Sequence, residues 1–248
     1  MSRSKLDFFF NPRSVAIVGA SAIEGKVGRV ILENFIAKFK GKVYPVNPKY
    51  ESILGLKCYG KLSELPEIPE LAVIAIPAPL VPGVVREAGE LGVKGAIVIS
   101  GGFSEVGEEG RRLEEELAKA IRDTGIRVIG PNCIGVYDAH SGVDTFFLPE
   151  ERLRRPPKGR ISIISQSGAF VGAILDWASK EGIGICKAIS YGNKIDVDDV
   201  ELLEYLAEDP LTKVILIYIE GLKPSRGRAF IEAARRASSR KPVLVLSL

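Results

Sequence analysis

Apolar runs of strand length alternate with stretches of helical periodicity along almost the whole chain. The runs "SVAIVG" (14–19), "KVYPVN" (42–47), "LAVIAIP" (71–77), "GAIVIS" (95–100) and "RVIG" (127–130) read as strands. Helical patterns fall between them near residues 27–39, 79–91 and 107–124. Strict alternation of strand and helix implies right-handed crossovers and a parallel sheet. The rhythm breaks at "SGVDTFFLPEERLRRPPKGR" (141–160), where charge, paired prolines and lost periodicity mark a linker or an excursion between domains. A second series follows, with strands at 160–166, 184–192, 213–221 and 241–248 and helices at 168–181, 197–208 and 225–238. The pattern predicts an α/β chain with two mainly parallel sheets: a domain over 1–140, a linker over 141–159 and an incomplete domain over 160–248. The second series stops on an apolar strand, at the sheet end where open α/β folds carry their ligand loops.

Composition narrows the partners. The 248 residues hold 34 basic and 31 acidic side chains, and a net charge of +3 gives no reason to invoke nucleic acid or an anionic membrane. No apolar run approaches the roughly 18 residues that span a bilayer, and the N-terminus lacks a long apolar h-region. The reading is of a cytoplasmic protein. Cys58, Cys133 and Cys186 are widely spaced and odd in number, so they suggest neither a disulfide framework nor a metal site. Gln166 is the only glutamine and Met1 the only methionine, a composition that leans towards a thermophile.

The turn "GASAIEGKVG" after the first strand carries Gly19, Ser21, Gly25, Lys26 and Gly28. Glycines let a backbone approach a phosphate, and a helix N-terminus aims N–H groups and a positive dipole end at it. The spacing fits neither a dinucleotide G-x-G-x-x-G, because Ser21 replaces the second glycine, nor a Walker A loop, because Gly25 comes one residue late. An NAD site places a carboxylate at the end of the second strand to bind the ribose. This chain has Asn47, Pro48 and Lys49 there, and a lysine suits a ribose phosphate, as in NADP or coenzyme A. Ile76 and Pro77 at the third strand's end offer an apolar face for adenine or simply end the strand.

Six segments in order, "VAIVGAS…GKVG", "VYPVNPK", "AIPA", "SGGFSE", "GPNCIG" and "SQSGAF", resemble the NDP-forming acyl-CoA synthetases. That family includes ADP-forming acetyl-CoA synthetase and is related to the succinyl-CoA synthetase α subunit. The resemblance implies a Rossmann-like CoA-binding domain followed by a flavodoxin-like ligase domain. It implies a reaction that interconverts acyl-CoA, phosphate and ADP with acid, CoA and ATP through an acyl phosphate and a phosphohistidine. Mg-ADP or Mg-ATP would be handled by an ATP-grasp β subunit or domain. Carried onto this sequence, Gly19, Ser21 and Lys26 would follow the CoA pyrophosphate, and Lys49, beside Asn47, would meet the 3′-phosphate. Ile76 and Pro77 would face adenine. Ser100, Gly101, Gly102 and Asn132 would line the route to the thiol and acyl group.

In the second series, Ser165 and Ser167 offer hydroxyls and Gly168 admits close approach at a helix start, an arrangement suited to phosphate. By resemblance this segment cradles phosphate or phosphohistidine, and Glu220 orients the histidine. The family's histidine lies beyond the strand at 241–248, and the sole histidine here, His140, falls between the domains. The expectation is a CoA-binding chain that needs a further segment and an ATP-grasp partner to complete the phosphate relay. The alternatives are a non-catalytic CoA-binding or sensing module and, further off, an NADP-binding protein.

Overall fold

The computed structural model describes residues 5–247. A short helix, α1 (Asp7–Phe10), precedes β1 (Ser14–Val18), α2 (Val27–Lys38) and β2 (Lys42–Val46). A two-residue hairpin, β3 (Ser52–Ile53) and β4 (Leu56–Lys57), leads to β5 (Leu71–Ile74), α3 (Val81–Glu90), β6 (Gly95–Val98), α4 (Glu108–Thr124) and β7 (Arg127–Ile129). These strands form a five-stranded sheet in the order β2-β1-β5-β6-β7, parallel throughout. β1 is buried along its whole length because helices cover both faces. Val15 and Ile17 pack with Ile31 and Phe35 of α2, whereas Ala16 and Val18 pack with Val81 and Val85 of α3 and Leu117 of α4. The period-two alternation of a strand thus serves two different helix layers.

The second sheet begins earlier in the chain than the expected boundary. β8 (Gly135–Asp138) pairs antiparallel with β10 (Ile185–Ser190), in the order β12-β11-β9-β10-β8. The other members are β9 (Lys158–Ser165), β11 (Val214–Ile219) and β12 (Val243–Ser247), joined by α5 (Gly168–Lys180), α6 (Asp199–Glu208) and α7 (Gly227–Ser238). Residues 141–157 pack as a strap: Asp144, Thr145, Phe146 and Leu153 are buried. Charge and prolines read as a linker there, yet Arg155 is itself buried and pairs with Asp144 at 2.7 Å. It also donates to the carbonyls of Phe146 and Leu148 at 3.1 and 3.2 Å.

One apolar cluster runs through both sheets, joining Phe9, Val15 and Ile97 to Ile164, Ile189 and Leu203. The segment after β10 also lies along the free edge of β7. Ile195 N donates to Gly130 O at 3.0 Å and Val197 N to Val128 O at 3.1 Å. Beside them Arg127 forks onto Asp196 at 2.9 and 3.2 Å and reaches Glu201 at 2.9 Å.

Candidate functional site

Winding in the first sheet reverses between β1 and β5, and open α/β sheets bind ligands in the crevice at such a point. Gly19 closes β1 with φ +91°, and a Cβ there would strike the Ala75 carbonyl beyond β5. Gly28 lies against the Gly19 carbonyl, so α2 starts in contact with the strand end. No side chain caps α2, which leaves its first N–H groups and positive dipole end open. Ser21 Oγ accepts from Ile23 N at 3.1 Å and shapes the loop. Lys26, the residue before α2, is exposed.

At the end of β2, Asn47 Nδ2 donates to the Ala20 carbonyl at 2.8 Å, and its Oδ1 accepts from Lys49 N at 3.0 Å. Asn47 therefore locks the β1 and β2 loops together and holds Lys49 at the rim. Lys49 is exposed, and among the described residues neither it nor Lys26 has a carboxylate partner. Ile76 and Pro77 lie beyond the last paired residue of β5, half-buried and exposed respectively. The Ser100 hydroxyl donates to the Ile76 carbonyl at 2.5 Å, tying the end of β6 to this wall.

The carboxyl ends of β6 and β7 face those of β9, β10 and β11 across a cleft of about 580 Å³. Gly101, Asn132, Ser167, Gly168 and Glu220 meet there. Ser167 caps α5, accepting from Phe170 N at 3.2 Å. Ser165 is not presented to the cleft: it is fully buried, and its hydroxyl donates to the Ser167 carbonyl at 2.7 Å. Its part is to hold the loop, which corrects its reading as a free donor. The Gly102 N–H is likewise taken, by Glu105 Oε1 at 2.5 Å. Burial pushes the Cys133 thiol up to about 12, and Sγ donates to the Val98 carbonyl at 3.3 Å, so this cysteine is held as a thiol.

Several cleft residues escaped the sequence reading. Asn193 Nδ2 reaches from the second sheet to Glu105 at 2.8 Å and Glu114 at 2.7 Å on the first. Gln166 Oε1 accepts from Glu220 N and from Lys194 Nζ, both at 3.3 Å. Buried Lys194 also bonds the Gly221 carbonyl and pairs with Asp199 at 3.1 Å. It thereby joins the Ser167 loop to the Glu220 loop. His140 stands away from the cleft, with Nε2 at 3.1 Å from the Gly159 carbonyl.

Residues 13–139 match the family described as "CoA binding domain", and residues 158–248 match the "Succinyl-CoA ligase like flavodoxin domain". The chain is 46% identical over 241 residues to acetate–CoA ligase [ADP-forming] I of Archaeoglobus fulgidus, covering 97% of this chain and 34% of that protein. It is 43% identical to subunit alpha of acetate–CoA ligase [ADP-forming] II of Pyrococcus furiosus, covering 97% and 51%. A solved dinucleotide-forming acetyl-coenzyme A synthetase 1 of Ca. Korarchaeum cryptofilum, in complex with phosphate and ADP, superposes with a TM-score of 0.92 at 45% identity, covering 98% and 51%. The chain belongs to the NDP-forming acyl-CoA synthetase family.

As a member of the NDP-forming acyl-CoA synthetases, the chain has the expected order, a CoA-binding domain ahead of a succinyl-CoA ligase-like flavodoxin domain. It spans about a third to a half of the length of the curated relatives it matches. Among the described residues no helix is long and apolar enough to cross a membrane.

Proposed function

We propose that the chain binds coenzyme A at the β1–β5 switch point and delivers its thiol end to the cleft, as the CoA-binding part of an ADP-forming acyl-CoA synthetase. The observation that carries this is Lys49, whose backbone N–H is held by Asn47 at the end of β2 and whose ammonium has no carboxylate partner among the described residues, where an NAD site needs a carboxylate. It meets the 3′-phosphate as a point charge. Lys26 and the uncapped start of α2 take the pyrophosphate, and Ile76 and Pro77 form the adenine wall.

In the cleft the thiol attacks the carbonyl carbon of an acyl phosphate; the C–S bond forms, the C–O bond to phosphate breaks, and phosphate leaves carrying the thiol proton. The N-terminus of α5, with Ser167 and Gly168, stabilises that anion, while Asn132 orients the acyl group. Glu220 accepts the N–H of the relay histidine and fixes its tautomer. His140 does not take that part, because it stands on Gly159. The histidine and an ATP-grasp unit that exchanges its phosphate with Mg-ADP come from outside the cleft described here. The relatives named as alpha subunits support a partner subunit.

Calorimetric titration of this chain tests the reading. CoA binds, 3′-dephospho-CoA binds about tenfold more weakly, and NADPH binds no better than dephospho-CoA, the tenfold being about 1.4 kcal/mol. In Lys49→Ala the two CoA forms bind alike. Equal weakening of both by the substitution would remove Lys49 from the phosphate, and binding of NADPH alone would overturn the assignment.

A further inference from the structure

The cleft carries one charged side chain that the proposed reaction does not use, Glu105. Ile99, Cys133, Ile134 and Phe147 give it an apolar wall. Its ionised side chains are both acidic, Glu105 and Glu220, and among the described residues no lysine, arginine or histidine lines it. Lys194 approaches from beneath, but its ammonium is committed to Asp199, Gln166 and the Gly221 carbonyl.

Glu105 is fixed in place from both sides. Its Oε1 accepts from Gly102 N at 2.5 Å and Phe103 N at 3.1 Å, and its Oε2 accepts from Asn193 Nδ2 at 2.8 Å. A Cβ on Gly101 would come within 3.2 Å of that carboxylate and 3.1 Å of Asn132 Oδ1. The carboxylate therefore borders the same strip of cleft floor as Asn132. Burial would raise its pKa, but the hydrogen bonds from Asn193 and the two backbone N–H groups hold it below the ordinary carboxylate value, so it stays charged.

We propose that Glu105 is a specificity-determining residue, a fixed negative charge that admits acyl groups without charge and rejects those carrying a second carboxylate. The inference rests on CoA binding with its thiol end in this cleft. A dicarboxylic acyl group brings its free carboxylate into a space with two acidic side chains and no cation to receive it. Like charges in a partly desolvated cleft repel, and the bonds on Glu105 keep it from turning aside. An acetyl or larger apolar acyl group brings no charge for Glu105 to repel.

The test is calorimetric, on the whole chain, with acetyl-CoA, succinyl-CoA and succinamoyl-CoA. The last replaces the free carboxylate by a neutral amide of the same length. Succinyl-CoA should bind about tenfold more weakly than both other ligands, a difference of about 1.4 kcal/mol. In Glu105→Gln that gap should close to about twofold, and in Glu105→Asp it should persist. Equal binding of succinyl-CoA and succinamoyl-CoA to the unaltered chain would overturn the proposal without any variant. So would an unchanged gap in Glu105→Gln. Failure of CoA itself to bind would remove the underlying reading as well, whereas CoA binding without discrimination would remove this proposal alone.

Discussion

Arg155 is the residue on which the strap between the sheets depends. Its guanidinium is buried with Asp144 and takes the backbone carbonyls of Leu153, Phe146 and Leu148, so every polar atom of the pair has a partner. Burial raises the Asp144 pKa, opposed chiefly by Arg155. Arg155→Met strands that carboxylate and should cost about 3–5 kcal/mol, read as a fall in the denaturation midpoint. Adding Asp144→Asn should restore part of the loss; no recovery would show that packing of the arginine stem, not charge, holds the strap.

Among the elements, the amino ends of the central strands are pinned by one buried carboxylate. Glu70, just before β5, bonds Arg13 at 2.8 to 3.1 Å ahead of β1 and Lys94 at 2.7 Å ahead of β6. Burial would raise its pKa, but Lys94 and Arg13 together bring it from 4.5 down to about 2. A lowered folded pKa makes this stabilisation complete above pH 4.5 and lost as the pH falls towards 2. Glu70→Gln should therefore be less stable than the parent at pH 7 by about 1–3 kcal/mol, with the two melting temperatures converging below pH 2. A constant gap across that range would assign the effect to shape alone. The ten main strands differ in how plainly the chain announces them. β1, β6 and β11 are apolar runs of strand length between turn-formers, and that is what identifies them. β8, whose GVYD mixes apolar and polar positions, stands only because the outer edge of β10 receives it, and the β3–β4 hairpin has two residues in each strand, too few for a pattern to register. The site divides in the same way. Gly19, Asn47 and Lys49 were legible because strand ends and turn chemistry are local. Glu105 was not, because one of the groups that fix it, Asn193, lies 88 positions away.

At the scale of the whole molecule, the two sheets share one apolar cluster and a backbone seam along β7. Calorimetric unfolding should give a single transition. Arg127→Gln, which removes the fork onto Asp196 and Glu201, should lower it by about 1–3 kcal/mol. Two resolved transitions in the parent would contradict a common core. The course of β8 also sets the smallest piece of chain that can carry a whole second sheet. Its four residues are encoded ahead of the strap yet complete the far edge of the second sheet, and Asp138 within it faces buried Lys187 at 3.3 Å. A gene fragment opening at residue 158 would leave that lysine with Asp209 alone and strip β10 of its outer neighbour. A second sheet with all five of its strands therefore needs residues from 135 onward, well ahead of the point where the two helical rhythms part.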